Sequence, residues 1–337
     1  MDLDVVFLGT AGSMPTAQRG PAAILVRRGG ERLLLDCGEG TQRQLLRSVV
    51  GLADLREVFL THYHADHYLG LPGMMKTFAL RGRELPLTIY GPPGLTELFR
   101  ALRRVFGKLT YEYELRTVRP GDVLERCDYE LAVFSVAHGV SAVGYALAEA
   151  PRPGRFDVAT ADALGVPSGP DRGALQRGKS VLVPGGAVIS PEQVLGPARP
   201  GRKVVLAGDS APAASVLEVA RGADVLVHEA TFLQDEEERA RETLHSTASE
   251  AASLARDAGV AMLALTHVSS RYSGGQVARE ARRVFPETVV PKDFDIIDVP
   301  FAERGKPRLR KGGALERDDE AAAPEPGVVP PGEEKPS

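Results

Sequence analysis

Four potential metal ligands fall within six residues: His62, His64, Asp66 and His67, in the run Thr61-His62-Tyr63-His64-Ala65-Asp66-His67. The run continues the strand-like segment REVFL. In extended chain, positions i and i+2 point the same way, so two imidazoles here can converge on one ion. Asp66 and His67 come where the chain should turn, and can aim at a neighbouring position. Nitrogen and carboxylate ligands without thiolate suit zinc, with manganese or iron as alternatives. The plain alternative is a polar turn with accidental histidines, but four such residues rarely share a turn without a metal.

Other residues of the same kind end apolar runs elsewhere. His138 closes LAVFSVAH, Asp209 closes KVVLAGD and His267 closes MLALTH. Open α/β folds put catalytic groups at such strand ends and in the loops that follow. Taken singly, each could be a turn former or a satisfied polar group. Together they are hard to explain as structure. His228 is read as structural, because it precedes Glu229 on a strand and should face the other way.

The elements that must carry these groups alternate along the chain. LDVVFLG, AAILVRR, RLLLDCG and REVFLTH read as strands, as do KVVLAGDS, ADVLVHEA and VAMLALTH. TQRQLLRSV and LTELFRALRRVF have helical apolar spacing, and so does STASEAASLARDAG, with Ser246 as N-cap. The alternation predicts an α/β or α+β layer architecture with parallel-type crossovers. Pro151–Lys203 departs from it. This stretch is dense in Gly, Pro and Arg, with eight bases (Arg152, Arg155, Arg172, Arg177, Lys179, Arg199, Arg202, Lys203) against four acids. A stretch this long without strong elements is usually functional or disordered. From Gly305 onward, Pro, Gly, Ala and charge without apolar periodicity predict a disordered tail over 305–337.

Composition sets outer bounds. The 337 residues are 43% apolar, enough for a sizeable core, and no apolar run is long enough to span a bilayer. The N-terminus reads as a first strand rather than a signal peptide. Two cysteines, Cys37 and Cys127, cannot form a staple framework, and both are expected reduced and buried, as in a cytoplasmic protein. The net charge of −4 is uneven: residues 316–337 carry −5 and the rest +1. Net charge therefore neither supports nor excludes a nucleic acid, and local patches must decide. Aromatics number nineteen, with no Trp, so that any nucleic acid would be recognised by backbone and shape rather than by extensive base stacking.

With these residues in view, the chain resembles the ribonuclease Z (tRNA 3′-endonuclease) family of the metallo-β-lactamase superfamily. The matching pieces are FLGTAGSMPT, LLLDCGEGTQRQLLRS, FLTHYHADHYLGLPGMM, PGRFDVATADALGVPSGPDRGALQRG, GRKVVLAGDS, VHEATF, HSTASEAA and LTHVSSRY, in family order over most of residues 4–272. The resemblance implies an αβ/βα sandwich over residues 1–304, with a protruding exosite arm at about 147–203 that grips tRNA away from the cut. It implies two zinc ions per chain. His62, His64 and His138 would hold one, Asp66, His67 and His267 the other, and Asp209 would bridge them. Asp66 would also accept a proton from the attacking water. Glu229 and His245 would ready a proton donor for the leaving ribose oxygen. Asp36 could orient a ligand histidine through its second nitrogen, or simply cap a turn. The implied partners are precursor tRNA and a second copy in a homodimer, with no membrane.

One loop departs from the family pattern. After Pro15-Thr16 the family often has a basic residue and then Arg-Asn, whereas here Ala17 and Gln18 precede Arg19 and Gly20. A second basic cluster, Arg100, Arg103, Arg104 and Lys108, reads as a solvated helix face rather than an RNA contact. Two rival functions stay open at this level. One is a phosphodiesterase or arylsulfatase of the same fold acting on small esters, which would need no remote arm. The other is a tRNA-binding protein without catalysis, which would not need all seven ligands.

Overall fold

The computed structural model describes residues 1–52 and 54–312. Strands β1 (Leu3–Gly9), β2 (Ala23–Arg28) and β3 (Glu31–Leu35) form an antiparallel meander, extended in parallel by β4 (Glu57–Phe59), β5 (Leu87–Gly91) and β6 (Tyr113–Thr117). Helices α1 (Thr41–Arg47), α2 (Ala65–Tyr68), α3 (Gly70–Leu80) and α4 (Leu95–Phe106) lie among these strands in the chain. A second sheet opens with antiparallel β7 (Val123–Glu125), β8 (Tyr129–Ser135) and β9 (Val143–Glu149). The segment after β9 holds α5 (Val158–Ala163), α6 (Pro170–Gln176) and the short pair β10 (Val181–Leu182) and β11 (Val188–Ile189). Then β12 (Lys203–Leu206), β13 (Val225–Glu229), β14 (Met262–Thr266) and β15 (Thr288–Val289) run parallel, alternating with α7 (Ala214–Ala220), α8 (Glu237–Thr243), α9 (Ala248–Ala258) and α10 (Gly274–Arg282). Finally β16 (Ile296–Asp298) and β17 (Arg308–Arg310) return to the first sheet beside β1.

Period-2 alternation decides the layers. On β1, Leu3, Val5 and Phe7 join the core between the sheets, while Val6 and Leu8 face the helices of the first sheet. On β13, Val225 and Val227 face the opposite sheet and Leu226 faces α7 and α9. Helices thus cover the outer face of each sheet, as the expected αβ/βα sandwich requires. The sheets are mixed rather than built on parallel crossovers alone, because hairpins open both of them. On the helix side, α4 buries Leu95, Phe99, Leu102 and Phe106 and exposes Arg100, Arg103 and Arg104, with Lys108 just beyond, as a solvated face.

Four expectations need correction. The N-cap of α9 is Thr247, whose side chain accepts from the Glu250 N–H in a reciprocal capping box, whereas Ser246 donates to the Ser210 carbonyl. Cys37 is buried but Cys127 is exposed, and both are free. The Gly/Pro-dense segment is not without elements: Ala161, Val166, Leu175, Val181, Val183, Ile189 and Val194 form a small core of their own. Its helices are simply too short to show apolar periodicity. The chain also stays in the fold past residue 304, because β17 pairs with β16 and Arg310 meets Asp298. The rest of the expected tail, from residue 313, lies outside the described residues. Among the described residues no helix is long and apolar enough to cross a membrane.

Candidate metal centre

The site lies where several strands end on one edge of the sandwich. β4 is only three residues long, and the chain leaves it through Leu60 to deliver Thr61 and His62. The turn expected after His64 is the four-residue helix α2, which carries Asp66 and His67. His138 follows β8, Asp209 follows β12, Glu229 ends β13 and His267 follows β14. Short backbone links lock these loops together. Cys37 N–H donates to His67 O (2.7 Å), Val143 N–H to Thr61 O (2.9 Å) and Ala211 N–H to Ala137 O (2.8 Å). Some approaches leave no room for a side chain: a Cβ on Gly12 would lie 2.6 Å from His267 O, and one on Gly38 would lie 2.3 Å from Asp66 O.

All seven expected ligands converge. His62 Nε2 lies 3.0 Å from His64 Nδ1, which lies 3.2 Å from His138 Nε2. Asp66 Oδ2 lies 3.2 Å from His267 Nε2 and 3.6 Å from His67 Nε2. Asp209 Oδ2 reaches both groups, at 3.9 Å from His62 Nε2, 3.4 Å from His67 Nε2 and 3.3 Å from His267 Nε2. The triads His62–His64–His138, His62–His67–Asp209 and Asp66–His67–His267 each have candidate ligand atoms within 4.8 Å of one another.

The second ring nitrogens are held from outside. His67 Nδ1 meets Asp36 Oδ2 at 2.8 Å, His62 Nδ1 meets Thr61 Oγ1 at 3.0 Å, His138 Nδ1 meets Leu244 O at 3.1 Å and His267 Nδ1 meets Thr231 Oγ1 at 2.8 Å. Such partners fix tautomer and ring orientation, so that the inward nitrogen offers a lone pair. His67 Nε2 is buried and, among the described residues, makes no hydrogen bond of good geometry, with Asp209 Oδ2 3.4 Å away. A buried imidazole nitrogen left orphaned among other nitrogens and carboxylates fits a metal ligand, because an unpaired buried polar atom is otherwise costly.

The electrostatics divide the cluster. Burial would lower His67 and His267, but Asp209, with Asp36 on the first and Asp66 on the second, prevails and raises both, so a metal would displace protons from these two rings. Burial, reinforced by neighbouring His67, lowers His62 to about 2, so its imidazole is neutral. Burial alone would raise Asp66, but the His267 hydrogen bond and nearby imidazoles lower it to about 2. Asp209 goes well below the usual carboxylate range, since His267 and His67 outweigh its burial. Backbone strain gathers here too. Of six non-glycine described residues with left-handed φ, four border the site: Ser13, Asp36, Leu244 and His267. Each costs on the order of 1 kcal/mol, which the surrounding packing must over-determine.

Beside the cluster sits His245. Its Nδ1 lies 2.6 Å from Glu229 Oε1, and its ring stacks on His267 at 5.5 Å. Burial lowers its pKa, but the Glu229 hydrogen bond and charge, with Asp209 and Asp66, prevail and raise it to about 9. The direction favours the protonated imidazole, held at Nδ1 by the buried Glu229 carboxyl group.

The pattern described as the Metallo-beta-lactamase superfamily matches residues 17–267. The chain is 45% identical over 304 residues to "Ribonuclease Z" of Methanosarcina acetivorans, covering 89% of this chain and 99% of that protein. It is 47% identical over 308 residues to "Ribonuclease Z" of Haloferax volcanii, covering 90% and 97%. The chain belongs to the ribonuclease Z family. Among solved structures, the short form of human tRNase Z superposes with a TM-score of 0.63 at 26% identity, over 88% of this chain and 99% of that one. The metallo-beta-lactamase fold protein YhfI of Bacillus subtilis gives 0.65 at 21% identity over 88% and 100%, a likeness of fold.

Two residues of the ribonuclease Z motifs have placements that the sequence reading did not assign. Thr231 Oγ1 donates to Glu229 Oε2 at 2.5 Å and faces His267 Nδ1, so one hydroxyl joins the metal-type cluster to the His245 pair. The signal was its i+2 spacing from Glu229 on extended chain. Thr61 links Asp36 to His62, its hydroxyl lying 2.9 Å from Asp36 Oδ2 and 3.0 Å from His62 Nδ1. His228 stays out of the cluster, with Nδ1 against Glu229 O at 2.9 Å, in keeping with its strand parity. Arg19, in the departing loop, is spent inside the protein on Pro291 O at 2.8 Å and Thr10 Oγ1.

Proposed function

We propose that this chain is a zinc-dependent endoribonuclease that removes the 3′ trailer from precursor tRNA and leaves a 3′-hydroxyl on the tRNA. The carrying observation is the charged His245–Glu229 pair at the edge of a seven-residue metal-type cluster, in a chain related over nearly its whole length to proteins named Ribonuclease Z. His62, His64 and His138 would hold one ion, and Asp66, His67 and His267 a second, with Asp209 shared. Bound zinc supplies Lewis acidity toward phosphate oxygens and brings the pKa of a water toward neutrality. Asp66, ionised and steadied by the Ser13 N–H at 3.0 Å, accepts the proton of the attacking water. A ribose 3′-oxygen leaves poorly as an alkoxide. His245 protonates it from Nε2, the nitrogen not held by Glu229, and Glu229 keeps the imidazole charged until then.

The lobe between β9 and β12 is the proposed tRNA grip, with its exposed Arg155, Arg177 and Lys179 as phosphate contacts. A small ester would need no such lobe, and a binding protein without catalysis would not need seven convergent ligands. On the family resemblance we also propose a homodimer working in the cytoplasm. Incubation with a trailer-bearing tRNA precursor, beside bis(4-nitrophenyl) phosphate, tests the reading. One cut 3′ of the acceptor stem, with a 3′-hydroxyl on the tRNA and a 5′-phosphate on the trailer, is expected. Turnover of the aryl ester with an uncut precursor would overturn it.

A further inference from the structure

The root of the arm is tied to the last part of the described chain. Two stalk segments pair through Arg152 N–H to Arg199 O (2.8 Å) and Arg199 N–H to Arg152 O (2.9 Å). Both residues turn their guanidinium groups onto Glu303, in the single turn Ala302–Arg304 that follows β16. Arg152 is bidentate, with Nη1 to Oε1 at 2.9 Å and Nη2 to Oε2 at 3.0 Å, and Arg199 Nη1 reaches Oε1 at 3.0 Å. Phe301 lies between two cations, its ring centre 3.4 Å from Arg152 Cζ and 4.0 Å from Arg202 Cζ. Arg202 in turn is buried and grips Glu149, where the arm leaves β9, at 2.7 Å; Arg28 of β2 holds the same carboxylate at 2.8 Å.

This arrangement has a mechanical reading. A lobe on two connecting segments is soft at its root, and a small rotation there becomes a large displacement at its far end. The body holds the root through Glu149, and the Phe301–Glu303 strap holds it on the stalk segments themselves. The strap also sorts the arm's charges. Arg152 and Arg199 are paired with Glu303 and Arg172 with Asp162, whereas Arg155, Arg177 and Lys179 have no acidic partner among the described residues. The Arg152 hydrogen bond is foremost in holding the Glu303 carboxyl at about 2, so the clamp stays ionised at any working pH.

We propose that Glu303, with Phe301, is a positioning residue for RNA capture: the strap sets the angle of the arm so that arm and metal centre engage one tRNA. It acts through Arg152 and Arg199 and touches neither RNA nor the reacting atoms. The proposal rests on the reading of the arm as the tRNA grip.

The test is steady-state kinetics of full-length, metal-loaded protein on a tRNA precursor and on bis(4-nitrophenyl) phosphate. Three chains are compared: the parent, Glu303→Gln, and Arg177→Glu with Lys179→Glu. Glu303→Gln is expected to raise KM for the precursor about tenfold, the scale of charge-assisted bonds lost at one site, with kcat unchanged. Aryl ester turnover should stay at the parent value, which also reports an intact fold. An equal loss on both substrates would make Glu303 an ordinary stability contact and overturn the proposal. Tighter precursor binding would overturn it too, since Glu303 would then only mask Arg152 and Arg199. Parent-like KM in Glu303→Gln, with a raised KM in the Arg177/Lys179 variant, would sink the strap alone. Parent-like KM in both would sink the arm reading beneath it.

Discussion

The metal centre and the arm are built on opposite plans. The centre draws residues from loops spread between Asp36 and His267, and several of its side chains are braced by partners far away in sequence, such as Asp36 on His67, Leu244 on His138 or Thr231 on His267. The arm is one contiguous segment with a local core, local caps such as Asp157 on the Thr160 N–H, and surface charge. Chemistry on a phosphodiester needs positions held to fractions of an ångström, and only a convergent, over-braced site gives that. Gripping an RNA backbone tolerates more slack, because phosphate contacts are long-ranged and numerous. On the proposed reading of the arm, the molecule separates making the cut from holding the substrate.

Substitutions in the centre should damage both substrates, and the largest effect is expected at Asp209. Asp209→Ala removes the one carboxylate among the described residues that reaches both halves of the cluster. Metal content, read by elemental analysis, and turnover of precursor and aryl ester should fall together to background. Retention of either activity by metal-poor protein would break the account of the centre.

His245→Ala comes next and sharpens the comparison within the centre. It should keep its metal and its precursor affinity and lose about 10²–10⁴-fold in the single-turnover cleavage rate. The loss should be smaller on an aryl ester, whose leaving group needs less protonation. Equal losses would mean that His245 shapes the site rather than donating a proton.

Thr231→Val is the milder probe. It leaves both His267 Nδ1 and Glu229 Oε2 without their shared hydroxyl, and partners of this kind typically matter about 10–100-fold in metal affinity or activity. Metal titration and kcat would reveal it, and parent-like values in both would show the hydroxyl to be incidental.

These residues also show what was legible in the sequence. His62, His64, Asp66 and His67 announce themselves because their geometry is local: a strand end followed by one turn of helix. His138, Asp209 and His267 show only as polar residues ending apolar runs, and their convergence needed the resemblance to name it and the fold to display it. The arm's core was illegible for a different reason. Its helices have six and seven residues and its strands two each, too short for periodicity to register among Gly and Pro. β17 was lost to the tail because Arg308-Leu309-Arg310 offers one apolar residue, and its strand character comes from the neighbouring β16.

The C-terminal boundary gives the smallest effect. Removing residues 313–337 should leave both activities and the melting temperature unchanged. Removing everything after Arg304 takes away β17 and the Arg310–Asp298 pair, and should lower the melting temperature while sparing the aryl ester reaction. Identical melting curves for the two truncations would show that β17 contributes nothing.

The separation of cutting from holding is tested most directly by excising the arm. Arg152 and Arg199 already pair backbone to backbone, so a short Gly-Ser bridge can replace residues 153–198 and leave Glu303 with both partners. The measurement is kcat/KM of this chain on bis(4-nitrophenyl) phosphate and on a tRNA precursor. The account predicts parent-like turnover of the ester and a collapse on the precursor carried chiefly by KM. Precursor cleavage at the parent's KM would contradict it.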